Sequence, residues 1–91
     1  MAAWFVCVNF EGADLGVANL MGAKLDGSCF VGADLGGANL AGASLQGANL
    51  TEARLMGANL FRANLEGANL RQVKSTGANY SDANLRSADL S

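Results

Sequence analysis

From Phe5 to Leu90 every fifth residue is Leu, Phe or Tyr, with Ser75 as the single exception. Two residues before each of these stands a small one, Ala in fifteen of eighteen units, the exceptions being Val8, Ser28 and Val73. The unit is therefore Ala-(Asp/Asn)-Leu-X-Gly, repeated along the whole chain. Five is the wrong period for one face of an α-helix, because steps of about 100° turn each Leu by about 140° from the last and scatter the set around the axis. It is equally wrong for a flat strand, where an odd spacing throws successive Leu side chains to opposite faces. A chain that turns a corner every five residues, keeping Leu and Ala always inward, satisfies it. A stacked coil with flat sides is the predicted architecture.

The runs Gly-Ala-Asp-Leu-Gly at 12–16, Gly-Ala-Asn-Leu-Ala at 37–41 and Gly-Ala-Asn-Leu-Arg at 67–71 resemble the pentapeptide repeat family, and the resemblance extends over essentially all 91 residues. It implies an all-β fold, a right-handed quadrilateral β-helix with four pentads to a coil. Eighteen units would then make about four and a half coils in one domain spanning 1–91. Stability is expected to come from the stack, since each coil buries its inward residues only against its neighbours. The small residue at the second inward position is a steric requirement of so narrow a core.

Residues twenty apart should lie above one another. One predicted inward column is Phe5, Leu25, Leu45, Leu65 and Leu85; another is Leu15, Leu35, Leu55 and Ser75, which puts Ser75 at the top of its column. Ser75 reads there as a polar residue tolerated at the last coil. Among the outward positions, Asn19, Asn39, Asn59 and Asn79 form an unbroken ladder whose amides can bond to one another or to local backbone. Two residues on, Met21, Ala41 and Phe61 make an apolar stripe, and adjacent exposed hydrophobes on a flat surface mark a contact site. Met21, Ala41, Phe61, Asn19, Asn39 and Asn59 are the candidate partner-binding residues, joined by Trp4 in an aromatic N-terminal segment that either plugs the core or meets another rod.

Charge divides by sign along the rod. Residues 1–50 carry Lys24 against Glu11, Asp14, Asp26 and Asp34; residues 51–91 carry Arg54, Arg62, Arg71, Lys74 and Arg86 against Glu52, Glu66, Asp82 and Asp89. Asp14 and Asp34 are expected to stack below Arg54 and Lys74, Glu66 under Arg86, and Arg62 under Asp82. Exposed pairs of this kind contribute roughly 0 to 1 kcal/mol each. The resemblance also implies an alternative function, imitation of DNA by an acidic rod that binds DNA gyrase. Such a mimic needs a dense negative surface, because duplex DNA carries one charge per about 1.7 Å. A net charge of −2 is a poor match. Direct nucleic-acid binding is disfavoured too, because the basic residues are few and not interleaved with exposed aromatics.

The chain contains no His, which removes the ordinary triad, an imidazole metal site and a proton shuttle near neutral pH. The glycines recur as Gly-Ala at the corners, where they ease a turn, and do not form a phosphate loop. No enzyme activity, metal or cofactor is expected. Cys7 and Cys29 are predicted to point outward, as reduced bystanders just beyond easy disulfide geometry. Apolar residues reach 51% but are dispersed by Gly, Asn and Asp, so no run approaches the roughly 20 residues of a membrane span. The start, Met1-Ala2-Ala3-Trp4-Phe5-Val6-Cys7, lacks the basic opening and apolar core of a secretory signal, and a cytoplasmic location is the expectation. The repeat leaves no room for a terminal cap, so a fragment of a larger chain, a passive spacer and association through coil ends are all compatible readings. The leading expectation is a non-catalytic module that presents flat faces to a protein partner.

Overall fold

The computed structural model describes residues 8–91. Among these residues thirteen parallel β-bridges tie the chain together, and every one joins residues twenty apart, from Asn9 with Cys29 to Asn69 with Asp89. A β-helix solenoid with four pentads per coil follows from that spacing. The sides are shorter than ordinary strands. Each bridge is an isolated pair at the Asp/Asn position, flanked by two residues and then by a turn.

Two rules of local chemistry produce the corners. The N–H of the small residue donates to the C=O of the preceding Leu, as from Ala38 to Leu35 at 3.0 Å, closing a four-residue turn. The third residue of each turn has positive φ, the signature of a type II turn, and glycine occupies ten of these sixteen positions. Gly42, with φ 67°, shows why: the left-handed region carries no Cβ penalty for glycine. Val17, Glu52, Arg62, Gln72, Asp82 and Ser87 hold the same conformation with a side chain.

The Asp/Asn position supplies the second rule. Its side-chain Oδ1 accepts the backbone N–H two residues on, as in Gly36 to Asp34 at 2.9 Å and Phe61 to Asn59 at 3.0 Å. This Asx turn satisfies a donor that the bend turns away from the ladder. Where Ser44 replaces the Asx residue, Asp26 on the coil below takes over, accepting the N–H of Gln46 at 3.0 Å and the hydroxyl of Ser44.

The core is the predicted pair of inward positions. Leu25, Phe30, Leu35, Leu40, Leu45, Leu50, Leu55, Leu60 and Leu65 are wholly buried, with Ala33, Ala38, Ala43, Ala48, Ala53 and Ala63 between them. Each fully buried Leu or Phe contributes roughly 1.5 to 3 kcal/mol. Phe10 and Phe30 stack face to face with ring centroids 5.0 Å apart, continuing the column toward the N-terminal end. Ser28, at a position otherwise filled by Ala, is buried too, and its hydroxyl accepts the N–H of Val8 at 3.1 Å.

Burial falls away in the last coil. Val73, Ala78, Tyr80, Ala83, Leu85 and Ala88 are only partly covered. Ser75 stands here in a Leu column, and Leu70, Val73, Ser75, Tyr80, Leu85 and Leu90 line an open concavity of about 330 Å³ at this end of the stack. Ser75 does sit at the top of its column.

Candidate functional site: a neutral side face

The ladder of Asn19, Asn39, Asn59 and Asn79 is real, each residue bridged to the next. Of the two ways its amides could bond, local backbone wins: Oδ1 of Asn19, Asn39, Asn59 and Asn79 accepts from Met21, Ala41, Phe61 and Ser81 at 3.2, 3.1, 3.0 and 2.9 Å. These bonds fix the orientation of the amides. One corner of the coil then brings Met21, Ala41 and Phe61 into the predicted column, with Met21 56% and Phe61 38% exposed. Ala41 is half-buried. Trp4 lies outside the described residues, as does Cys7.

The opposite edge of the same face carries two residues that the periodic reading passed over. Val17 is 82% exposed and Met56 36%. Both belong to the corner that precedes the Asn ladder, two or three residues before Asn19 and Asn59. Four of the five large exposed hydrophobics of the described chain therefore stand on the two corners of this face, Met56 on the corner shared with the Arg54 side, the fifth being Leu90. A signal existed in the sequence: Val17 occupies a position that Gly holds in the three coils above it, at Gly37, Gly57 and Gly77.

Val17 is also held against its own preference. A β-branched residue at φ 53° is a genuine conformational outlier. The other five non-glycine residues in this conformation are all polar. A Cβ added to Gly37 on the next coil would lie 3.3 Å from Cγ1 of Val17, so that glycine makes the room Val17 occupies.

Electrically the face is nearly blank. Among residues 16–22, 36–42 and 56–62 the sole charged residue is Arg62. Its guanidinium lies 5.4 Å from the centre of the Phe61 ring, a cation–π contact, in place of the expected pairing with Asp82. Glu66 with Arg86 and Asp34 with Arg54 likewise do not close to ion-pair distance. Arg71 and Asp89 approach to 3.8 Å, a pairing eighteen residues apart that the column arithmetic did not anticipate. The Asp89 carboxylate is held below its ordinary range chiefly by the hydroxyl of Ser91, then by that residue's N–H, with Arg71 adding a smaller effect. Cys29 is half-buried, bridged between Asn9 and Asn49.

Stacked five-residue turns around a Leu and Ala column define a repeat solenoid. The family model for pentapeptide repeats, which itself spans eight copies of the unit, matches at residues 3–40, 38–74 and 63–91, and the chain belongs to the pentapeptide repeat family. Solved structures agree. A pentapeptide repeat protein of the Arabidopsis thaliana thylakoid lumen is 38% identical, with a TM-score of 0.81 over 89% of this chain and 60% of its own. HetL, a pentapeptide repeat protein involved in heterocyst differentiation regulation in Nostoc sp. strain PCC 7120, is 37% identical, with a TM-score of 0.55 over 93% of this chain and 39% of its own. QnrB1, a plasmid-mediated fluoroquinolone resistance protein, is 19% identical with a TM-score of 0.73, a likeness of fold alone. The chain thus spans 60% and 39% of the lengths of the first two. No curated protein matches it in sequence.

The expectation of a cytoplasmic location does not stand. A relative at 38% identity resides in the thylakoid lumen, so this repeat is not tied to the cytoplasm, and lack of a recognisable leader in the first seven residues was too weak a ground. No helix among the described residues is long and apolar enough to cross a membrane.

Proposed function

We propose that this chain is a non-catalytic protein-contact module that binds through the face bounded by Met21, Ala41 and Phe61 on one edge and Val17 and Met56 on the other. The observation that carries this reading is the gathering of exposed hydrophobics around one nearly uncharged side of an otherwise polar rod. Exposed apolar side chains scattered singly need no explanation, whereas several gathered at the corners of one flat side favour a contact surface. The coil is read as right-handed, four-sided and about four and a half turns tall when the register is carried to the first repeat. A cofactor has no role in it.

The gyrase-binding alternative draws on fold likeness to QnrB1 but meets an unfavourable charge distribution. Asp14 and Asp34 share a column with Arg54 and Lys74, so no side of the described rod is continuously acidic. Affinity capture from a lysate of the source organism tests the module. The intact chain is expected to retain a protein that a folded Met21→Asp, Phe61→Asp variant loses, while an Arg54→Asp variant on the adjoining side retains it. Loss of the same protein only in the Arg54→Asp variant would place the contact on the charged side instead. Recovery of gyrase by all three would favour the alternative, and recovery of nothing would favour a passive spacer.

A further inference from the structure

We propose that the occupant of this neutral face is a second copy of the same chain, packed side to side across the Asn19, Asn39 and Asn59 ladder. The inference rests on the contact-surface reading above and names its partner. Three observations carry it, and the first is placement. The bulky residues stand at matched levels: Val17 and Met21 border the face on one coil, Met56 and Phe61 border it two coils on, and Gly36, Gly37 and Ala41 keep the level between them low. A two-fold axis running along the stack exchanges the two edges, setting Met21 against the partner's Val17 and Phe61 against the partner's Met56. A two-fold axis across the stack exchanges the levels, setting Met21 against the partner's Phe61 and Val17 against the partner's Met56. In either sense apolar meets apolar at four places, the self-complementarity that an isologous interface requires.

Charge is the second observation. Over the three coils at 16–22, 36–42 and 56–62 the only charged residue is Arg62, with Asp82 on the coil above, so the surface offers little to a strongly acidic or basic partner yet can face itself without bringing like charges together. Under either axis the two Arg62 side chains lie at different corners or different levels. Each Asn amide is already oriented by its Oδ1 bond to the backbone, leaving Nδ2 with two donors and Oδ1 with a second lone pair for the amides of the partner. Overall extents of 31 × 26 × 25 Å set about 800 Å² per copy as the upper limit for a side-to-side contact, so the association is expected to be weak.

The third observation is Val17 itself. A strained, solvent-facing valine where glycine serves in most coils is costly to the lone chain, and strain of this kind is retained where something else uses it. Contact with a second copy is that use. It also yields a signature that a merely structural residue would not show.

Sedimentation equilibrium of the 91-residue chain from about 1 μM to about 1 mM spans the affinities such a contact can have. The expected result is a mass rising with concentration from 9.3 kDa towards twice that value. The Met21→Asp, Phe61→Asp variant should associate at least about tenfold more weakly with its circular dichroism unchanged, and Arg54→Asp should associate like the parent. Val17→Gly should melt at a higher temperature than the parent and yet associate more weakly. A chain that stays at 9.3 kDa throughout overturns the proposal while leaving the contact-surface reading to the capture experiment. So does an association that Arg54→Asp weakens and the double variant does not.

Discussion

Two adjoining sides of this rod share one backbone and differ only in what they show to solvent. On the charged side Asp34 donates its N–H to Ala13 at 2.9 Å, and Leu35 donates to Arg54 at 2.7 Å. On the neutral side Asn39 donates to Ala18 and Leu40 to Asn59 at the same two distances. One side carries the column Asp14, Asp34, Arg54 and Lys74; the other carries four Asn residues bordered by Val17, Met21, Met56 and Phe61. The ladder is therefore indifferent to the outward residue. Specificity is free to reside there, and folding is left to Leu, Ala and the turn residues.

The sharpest way to break this division is to put a charge on the inside. Leu45 is wholly buried, and Leu45→Asp should cost more than about 4 kcal/mol through a lost core side chain and an unpaired buried charge. Loss of the far-ultraviolet circular dichroism of the folded chain checks it. Next in size is relief of strain on the neutral side: Val17→Gly should raise stability by roughly 1 to 2 kcal/mol in thermal or urea melts, because φ 53° carries no steric penalty for glycine. Restoring the Leu of its column by Ser75→Leu should add roughly 0.5 to 2 kcal/mol, because the half-buried inward position then carries an apolar side chain.

Phe61→Asp sharpens the comparison from the other direction. At 38% exposure the residue holds little of the core, and the melting free energy should change by less than about 1 kcal/mol. The smallest effect concerns Asp89. Its carboxyl is depressed first of all by the Ser91 hydroxyl, so Ser91→Ala should raise it toward the ordinary carboxylate value in an NMR titration. Because the folded-state value is the lower one, whatever stability this group contributes is present above its unfolded pKa and is lost as pH falls through the folded one. That acid-side loss should shrink in the variant.

The interior was legible in the sequence because its rule is geometric: a period of five with twenty residues per coil places every Leu, and the bridges fall where that arithmetic puts them. The Asn ladder and the Met21, Ala41 and Phe61 column came from the same arithmetic. Ion pairing did not follow, since long side chains on a shared column are free to swing elsewhere, and Arg62 settles over Phe61 instead of reaching Asp82. Val17 and Met56 were overlooked for a different reason. The residue after each Leu displays the apolar stripe of one corner in the sequence, whereas the exposure of Val17 and Met56 on the other corner emerges only in the folded coil. The Asx turns were only half visible, because the repeat shows Asp or Asn at the bridge position without showing which partner wins the side-chain oxygen.

The account rests on contact being confined to the neutral side. The direct measurement is a two-dimensional amide NMR spectrum recorded as the chain is diluted from about 1 mM to about 10 μM, a span that covers weak self-association. Shifts are expected at the side-chain amides of Asn39 and Asn59 and at the backbone amides of Val17, Met21, Met56 and Phe61, with Asp34, Arg54 and Lys74 unmoved. Shifts confined to Asp34, Arg54 and Lys74, or a spectrum that does not change with concentration, would contradict it.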